Sequence, residues 1–229
     1  MIATVPPSLG GVDKTLNELL ARAAAGKFPP PDGGVTVLAQ PSPRDAGVIA
    51  FTGHNVVFAD VDAGWVRGLL PADDVAAPLA PPFLLSLAGR LGRGVNCVDM
   101  LTVAPARPGP PPASPSRCTA LTEITSTGHP RVRRARRFRD GLRIWGGDGV
   151  VVMIGRGVAG RWEVAVEVDP GRQGRGLGRA AIGAARHLVP GGEPVWAQVA
   201  PGNAASVRAF LAAGFVPVGA EVLLPWAVG

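Results

Sequence analysis

The sequence predicts an α+β fold, with a mixed, mostly antiparallel sheet flanked by helices and preceded by a smaller α/β N-terminal domain. One observation behind this is that in the second half several strand-like runs follow one another and two helices come late. The other is a stretch rich in proline and small residues that suits a semi-rigid linker. We therefore expect an N-terminal domain at residues 1–104, a proline-rich linker at 105–116 and a second domain at 117–229.

The first half reads as a helix, three strands, a helix and a strand. Residues 13–24 predict a short amphipathic helix whose apolar residues share one face, namely Leu16, Leu19, Leu20 and Ala23. The other elements of this half are predicted at residues 35–39, 48–52, 56–61, 82–91 and 95–103.

The second half is dominated by strands. Its strands are predicted at residues 120–126, 142–145, 150–155, 162–168, 194–200 and 215–224. Its helices are predicted at residues 129–138, 177–188 and 204–213. His129 precedes Pro130 at a helix start, so we expect a capping or turn role for it.

Composition indicates a packed globular protein, because 47% of the 229 residues are hydrophobic and 17% are charged. The net charge of +6 favours an anionic partner such as a phosphorylated cofactor, nucleic acid or a membrane surface. Only Lys14 and Lys27 are lysines, and such a bias towards arginine weakens a functional interpretation of each arginine. Cys97 and Cys118 match no metal-ligand spacing, so we expect reduced thiols, no metal and a cytoplasmic location.

Targeting and membrane signals are not apparent either. The N-terminus has no basic start followed by an apolar core, so we expect no signal peptide. No apolar run approaches the ~18 residues of a membrane span, so we expect no membrane partner.

The segment RQGRGLG at 172–178 places glycines and arginines between a predicted strand and a predicted helix, which is a generic anion site. A P-loop is excluded because Leu177 and Gly178 stand where a lysine and a hydroxyl residue are required. A dinucleotide fingerprint is disfavoured because the next strand, at 194–200, ends without the expected acidic residue.

The pattern Gln173-x-x-Gly176-x-Gly178 resembles the acyl-CoA pyrophosphate loop of the GNAT superfamily of acyl-CoA-dependent N-acyltransferases. A second signature of that family is an asparagine, a helix and then Gly-Phe, and residues 203–215 match it with Asn203, Gly214 and Phe215. The resemblance covers about residues 117–229 and implies a GNAT-like sheet there. The N-terminal half lacks the loop, and we interpret it as a degenerate second copy of the fold that does not bind CoA.

The resemblance implies acetyl-CoA as cosubstrate, with its pantetheine arm beside the strand at 162–168 and its pyrophosphate on the loop amides. The residues expected at the cosubstrate are Val166, Val168, Gln173, Gly174, Arg175, Gly176, Leu177, Gly178, Arg179, Asn203 and Phe210. It also implies direct attack of an amine on the thioester, followed by departure of the thiolate. The acceptor is expected to be a small molecule or a peptide, and the protein a monomer or homodimer.

The catalytic groups are less well defined. Glu163 and Glu167 share a strand face by alternation and are the candidate bases. Many family members take a proton donor from a tyrosine seven residues after the asparagine, but here that position is Phe210 and the chain has no tyrosine. Another group must serve, or the thiolate leaves unaided, or the domain binds acyl-CoA without catalysis.

Two alternatives to the enzyme remain open from the sequence. One is a non-catalytic acyl-CoA-binding regulatory or partner module, which the absence of tyrosine favours. The other is nucleic-acid binding through the seven arginines of residues 131–143, which the lack of base-stacking aromatic residues disfavours. Because family helices at this place border the acceptor cleft, the same run bears on acceptor choice.

Overall fold

The protein is built on one ten-stranded sheet with helices on both faces, as seen in a computed structural model. The structure describes residues 15–111, 121–125, 128–147 and 149–226. The helices are α1 Leu16–Ala24, α2 Ala63–Leu69, α3 Pro81–Leu91, α4 Pro130–Phe138, α5 Leu177–Ala185 and α6 Ala204–Ala212. The strands are β1 Val35–Leu38, β2 Gly47–Phe51, β3 His54–Phe58, β4 Val98–Ala104, β5 Thr122–Glu123, β6 Asp140–Gly147, β7 Val150–Arg156, β8 Trp162–Val168, β9 Val195–Val199 and β10 Val216–Leu223.

The predicted fold class is confirmed, since the sheet is mixed and mostly antiparallel. Its order is β1-β3-β2-β10-β4-β9-β8-β7-β6-β5, and the parallel pairs are β1–β3 and β8–β9. Successive residues of a strand pack into cores on opposite faces of the sheet, as Val48 and Ile49 of β2 do. One face carries α1 and α4, and the other carries α2, α3, α5 and α6.

Most predicted elements are present, with differences that have local causes. The helix α2 was not predicted, because it is short and contains two glycines; the side chain of Asp62 caps it by accepting from the amide of Trp65 at 2.8 Å. The strand predicted at 120–126 is found only as Thr122–Glu123, and residues 120 and 126 lie outside the described part. The predicted cap is confirmed, since His129 Nδ1 accepts from the amide of Arg131 at the start of α4.

The two halves of the chain contribute to the same sheet. Strand β4, from the first half, lies between β9 and β10 of the second half and pairs with both of them. Strand β10 in turn pairs with β2 on its other side. The division into domains at residues 105–116 stays a prediction, because strand order does not report which part folds on its own.

No helix in the described ranges is long and apolar enough to cross a membrane.

Candidate active site

A cleft opens where β8 and β9 separate. The two strands pair in parallel only at Trp162–Val195 and Glu163–Trp196, after which β8 continues along β7 and β9 continues along β4. The cleft has a volume of about 220 Å³ and is walled by β8, β9, α4, α6 and the start of β4. That is below the ~300–1,000 Å³ of a typical ligand pocket, so it suits the reacting ends of two substrates and not a whole acyl-CoA.

Of the residues predicted to bind the pyrophosphate, Gln173 to Gly176 form an exposed loop after β8, and Leu177 and Gly178 begin α5. Gly174 and Gly176 have φ of 74° and 80°, which explains why glycine occupies both positions. The Gln173 side chain donates from Nε2 to the carbonyl of Val168 at 3.2 Å and so ties the loop to the strand. Leu177 is buried and anchors the first turn of α5 in the core. The loop therefore presents backbone amides and the positive end of the α5 dipole to solvent, which is an arrangement suited to an anion.

Helix α6 presents one row of residues to the cleft. Asn203 caps the helix by accepting from the amide of Ser206 at 3.1 Å. Asn203, Ser206 and Phe210 are spaced three and four apart, so they share a face, and all three line the cleft. Phe210 is buried and packs edge-on against Phe215 with ring centroids 5.0 Å apart. The position that resembles the family's tyrosine therefore offers a hydrocarbon ring.

A chain of buried charges lies beside the cleft. Arg161 binds Glu221 with two hydrogen bonds of 2.7 and 3.0 Å, and it binds Glu163 through Nε at 2.9 Å. Arg139 Nε lies 3.2 Å from the other Glu163 oxygen, and Gln198 donates to Glu221. Arg139 and Gln198 also line the cleft, so the network connects its wall to the core of the sheet.

Glu163 is held as an anion in this network. Burial alone would raise its pKa, but Arg161 and Arg139 outweigh burial and keep the pKa below its usual value. Burial alone would lower the pKa of Arg161, and its two carboxylate partners reverse that and raise it. A carboxylate whose two oxygens are both bound by arginines is a weak proton acceptor, which favours a structural role for Glu163.

Glu167 has a different environment. It shares the Glu163 face of β8, as alternation predicts, but its side chain is 40% exposed and lies 3.7 Å from Arg131 Nε. Neither glutamate is among the residues that line the cleft. The catalytic role given to Glu163 and Glu167 from the sequence stays a prediction.

Two further chemical groups at the cleft were missed by sequence reasoning. Asp99 and Cys97 come from the start of β4, and the Cys97 thiol contacts Asp99 Oδ1 at 3.0 Å. The available signal was a single acid within the apolar run of β4, but only the position of β4 beside β9 brings it to the cleft.

The histidines lie elsewhere. His54 bridges Asp32 Oδ1 at 2.7 Å and Thr36 Oγ1 at 2.9 Å near the far edge of the sheet. His187 contacts the carbonyls of Pro108 and Gly109. Within the part of the chain that the structure covers, no group of three or more histidine, cysteine, aspartate or glutamate residues is placed to hold a metal ion.

Comparison with known proteins agrees with this geometry. Residues 142–215 match the sequence model of the Acetyltransferase (GNAT) family, a range that runs from β6 to the residue before β10. No curated protein matches the chain by sequence.

Solved structures show weaker likenesses. One is described as a GCN5-related N-acetyltransferase from Kribbella flavida, with 19% identity, a TM-score of 0.41 and 65% of each chain covered. A GNAT-family structure from Novosphingobium aromaticivorans has 20% identity and a TM-score of 0.38, with 58% of this chain and 66% of that chain covered. The match thus spans less than two thirds of either structure, and the assignment depends on the sequence match.

Proposed function

We propose that the protein is an N-acetyltransferase that moves the acetyl group of acetyl-CoA to an amine, because residues 142–215 match the sequence model of the Acetyltransferase (GNAT) family. The observation that carries the proposal is the coincidence of three features: the cleft between β8 and β9, the exposed glycine loop at the end of β8, and the capped helix α6. Each suits a different part of the cosubstrate.

In this proposal the pantetheine arm runs along β8, where no β9 partner occupies the backbone of Val166 and Val168. The amides from Gln173 to Gly178 hold the pyrophosphate, and Arg175 and Arg179 neutralise phosphate charge. The Asn203 side chain approaches the arm from α6, and the Phe210 ring packs against it. The acetyl group then lies in the cleft.

The proposed reaction is direct transfer. The neutral amine attacks the thioester carbonyl carbon, the new C–N bond forms, and the C–S bond breaks with its electron pair on sulfur. The acceptor is proposed to be a small molecule or a peptide and the site of action the cytoplasm. That the N-terminal half is a degenerate copy of the fold stays a prediction.

Two measurements test the proposal. Titration calorimetry should detect acetyl-CoA binding, and a panel of amines should contain at least one that causes release of free CoA thiol. Failure to bind acetyl-CoA would contradict the proposal outright.

Phe210 favours one alternative, a regulatory or partner module that binds acyl-CoA without catalysis, because it removes the family's proton donor. Binding of acetyl-CoA without CoA release, for every amine tested and over long incubation, would support the module and reject the enzyme.

A further inference from the structure

The hydrogen-bonded pair Cys97 and Asp99 lies at the start of β4 and lines the cleft. Pairing between β4 and β9 ends at Met100–Val199, so the pair stands just past the last paired residue, where the chain leaves β9 for α6. Both residues line the cleft together with Phe210. A thiol and a carboxylate 3.0 Å apart therefore line a cleft in which the Phe210 position offers no hydroxyl group.

We propose that Cys97 and Asp99 are the proton-transfer pair of this site, with Asp99 accepting the proton of the acceptor amine and Cys97 donating a proton to the departing CoA sulfur. The inference rests on the proposed acetyltransferase function.

The pair returns to its starting protonation state without another reactant. As the C–N bond forms, the amine nitrogen loses its proton to the Asp99 carboxylate. As the C–S bond breaks, the CoA sulfur keeps the electron pair and takes the proton of the Cys97 thiol. The proton on Asp99 then passes to the Cys97 thiolate along their contact, which restores the starting pair.

The electrostatic surroundings suit both roles. Burial raises the pKa of the Cys97 thiol, and the Asp99 carboxylate raises it further, so the thiol remains protonated and able to donate. Burial also raises the pKa of Asp99, against the opposing effects of the Cys97 contact and of Arg134, which moves this carboxyl group towards the range of a useful base. Arg134 from α4 acts on Asp99, and Glu221 lies directly opposite it on β10. Arg131 and Arg139 also line the cleft.

The position of Cys97 is tested by alkylation, independently of activity. In a Cys118→Ser background Cys97 is the single remaining cysteine. Acetyl-CoA at about ten times its Kd should slow reaction of iodoacetamide with Cys97 about tenfold, because protection follows the bound fraction. An unchanged rate, with binding verified by calorimetry, would place Cys97 away from the cosubstrate and overturn the pair.

The roles are tested by kinetics. Asp99→Asn should lower kcat about 100-fold and remove the acidic limb of the pH–rate profile, while the Kd for acetyl-CoA stays unchanged. Cys97→Ala should remove the alkaline limb and lower kcat more than Cys97→Ser does, since serine keeps a hydrogen-bond donor. Because the groups are coupled, the limbs report apparent pKa values of the pair.

The outcomes separate the two proposals. An active wild-type protein whose Asp99→Asn and Cys97→Ala variants keep full kcat and both limbs overturns the pair alone. A wild-type protein that releases no CoA with any amine overturns the enzyme and the pair together.

Discussion

At the scale of single residues, Glu163 lies in a buried network of charges. Its carboxylate sits between Arg161 and Arg139, and it also accepts from the amide of Val158 at 3.3 Å. Gly157 makes room for it, because a Cβ atom there would overlap the carboxylate. Removing either partner of such a pair leaves a buried charge uncompensated.

Gly157→Ala should therefore destabilise the protein by about 1–3 kcal/mol, the range for overpacking. The control is Gly183→Ala in α5, where nothing lies within 4 Å of the new methyl group. That change should stabilise the protein by about 0.5–1 kcal/mol, because alanine favours helix. Urea unfolding measures the free energy of unfolding of both variants. Equal values would contradict the close approach of Glu163 to Gly157.

Glu163→Gln should lower the free energy of unfolding at neutral pH by about 3 kcal/mol. Because the folded pKa of Glu163 lies below its ordinary value of 4.5, ionised Glu163 stabilises the folded state above that pH. This contribution is lost as the pH falls below 4.5 through the folded pKa. The variant should therefore lose less stability on acidification than the wild type does.

The control for that measurement is Glu123→Gln. Glu123 also binds an arginine twice, Arg143 at 2.8 Å, but it is exposed. Solvent screens such a pair, so the change should leave the unfolding free energy nearly unchanged at neutral pH. A similar loss in both variants would contradict the role of burial.

At the scale of elements, the loop before α5 borders the proposed acetyl-CoA site, and the helix α4 borders the cleft proposed for the acceptor. Helix α4 buries Val132 and Ala135 and turns Arg131 and Arg134 towards the cleft. Arg137 faces solvent on the same helix. The loop is exposed, and its glycines leave space for a ligand to approach the backbone.

Gly178→Ala should weaken acetyl-CoA binding about tenfold, or about 1.4 kcal/mol, because the methyl group keeps the pyrophosphate off the amides. The folded protein should tolerate it, since the new Cβ meets Val168 at an ordinary 3.6 Å. Gly171→Ala, just before the loop, places its methyl group in open space and is the matched control for calorimetry. Equal Kd values for the two variants would reject the loop as the phosphate site.

Arg134→Gln should raise KM about tenfold for acceptors that carry a carboxylate near the amine, the value of one charge-assisted hydrogen bond. Among the described residues Arg134 forms no ion pair with a carboxylate, and Arg131 and Arg139 add positive charge to the same wall. The preference for a carboxylate is measured by comparing KM for an acceptor pair, such as an amino acid and its amide.

Two comparisons check that prediction. Arg137→Gln should leave KM unchanged for both the acid and the amide acceptor, because Arg137 points to solvent. KM for acetyl-CoA should stay constant in both the Arg134→Gln and the Arg137→Gln variants. Equal use of the acid and the amide by the wild-type protein would refute a role of Arg134 in acceptor choice.

At the scale of the whole molecule, strands of the two halves are interleaved in one sheet, so we expect each half to need the other for stability. The pairing partners of β10 are β2 and β4, which both come from the first 104 residues. Without them β10 would have no neighbour in the sheet, and β9 would lose its pairing with β4. Unpaired edges and exposed apolar faces favour aggregation.

Residues 105–229 expressed alone should therefore be insoluble or unfolded, although they contain the loop and α6. Co-expression with residues 1–104 as a separate polypeptide should restore a folded complex, seen by co-purification and by acetyl-CoA binding. A stable monomeric 105–229 fragment that binds acetyl-CoA would show that the second half is an independent domain.

Local features of the site were predictable from the sequence. The glycine pattern of the loop, the cap at Asn203 and the Phe210 position depend on contacts within a few residues of chain. Amphipathic spacing likewise predicted most helices and strands, since each side chain's face follows from the period of its own element.

The sequence by itself determined most of the elements and the loop that suits an acyl-CoA, because these follow from neighbouring residues. Only the tertiary structure decided that β4 enters between β9 and β10, which brings Asp99 and Cys97 to the cleft and Glu221 to Arg161. Strand pairing joins residues far apart in the chain, and the alternation of a strand does not specify its neighbour. The groups proposed to move protons therefore come from the half of the chain that carries no signature of the reaction.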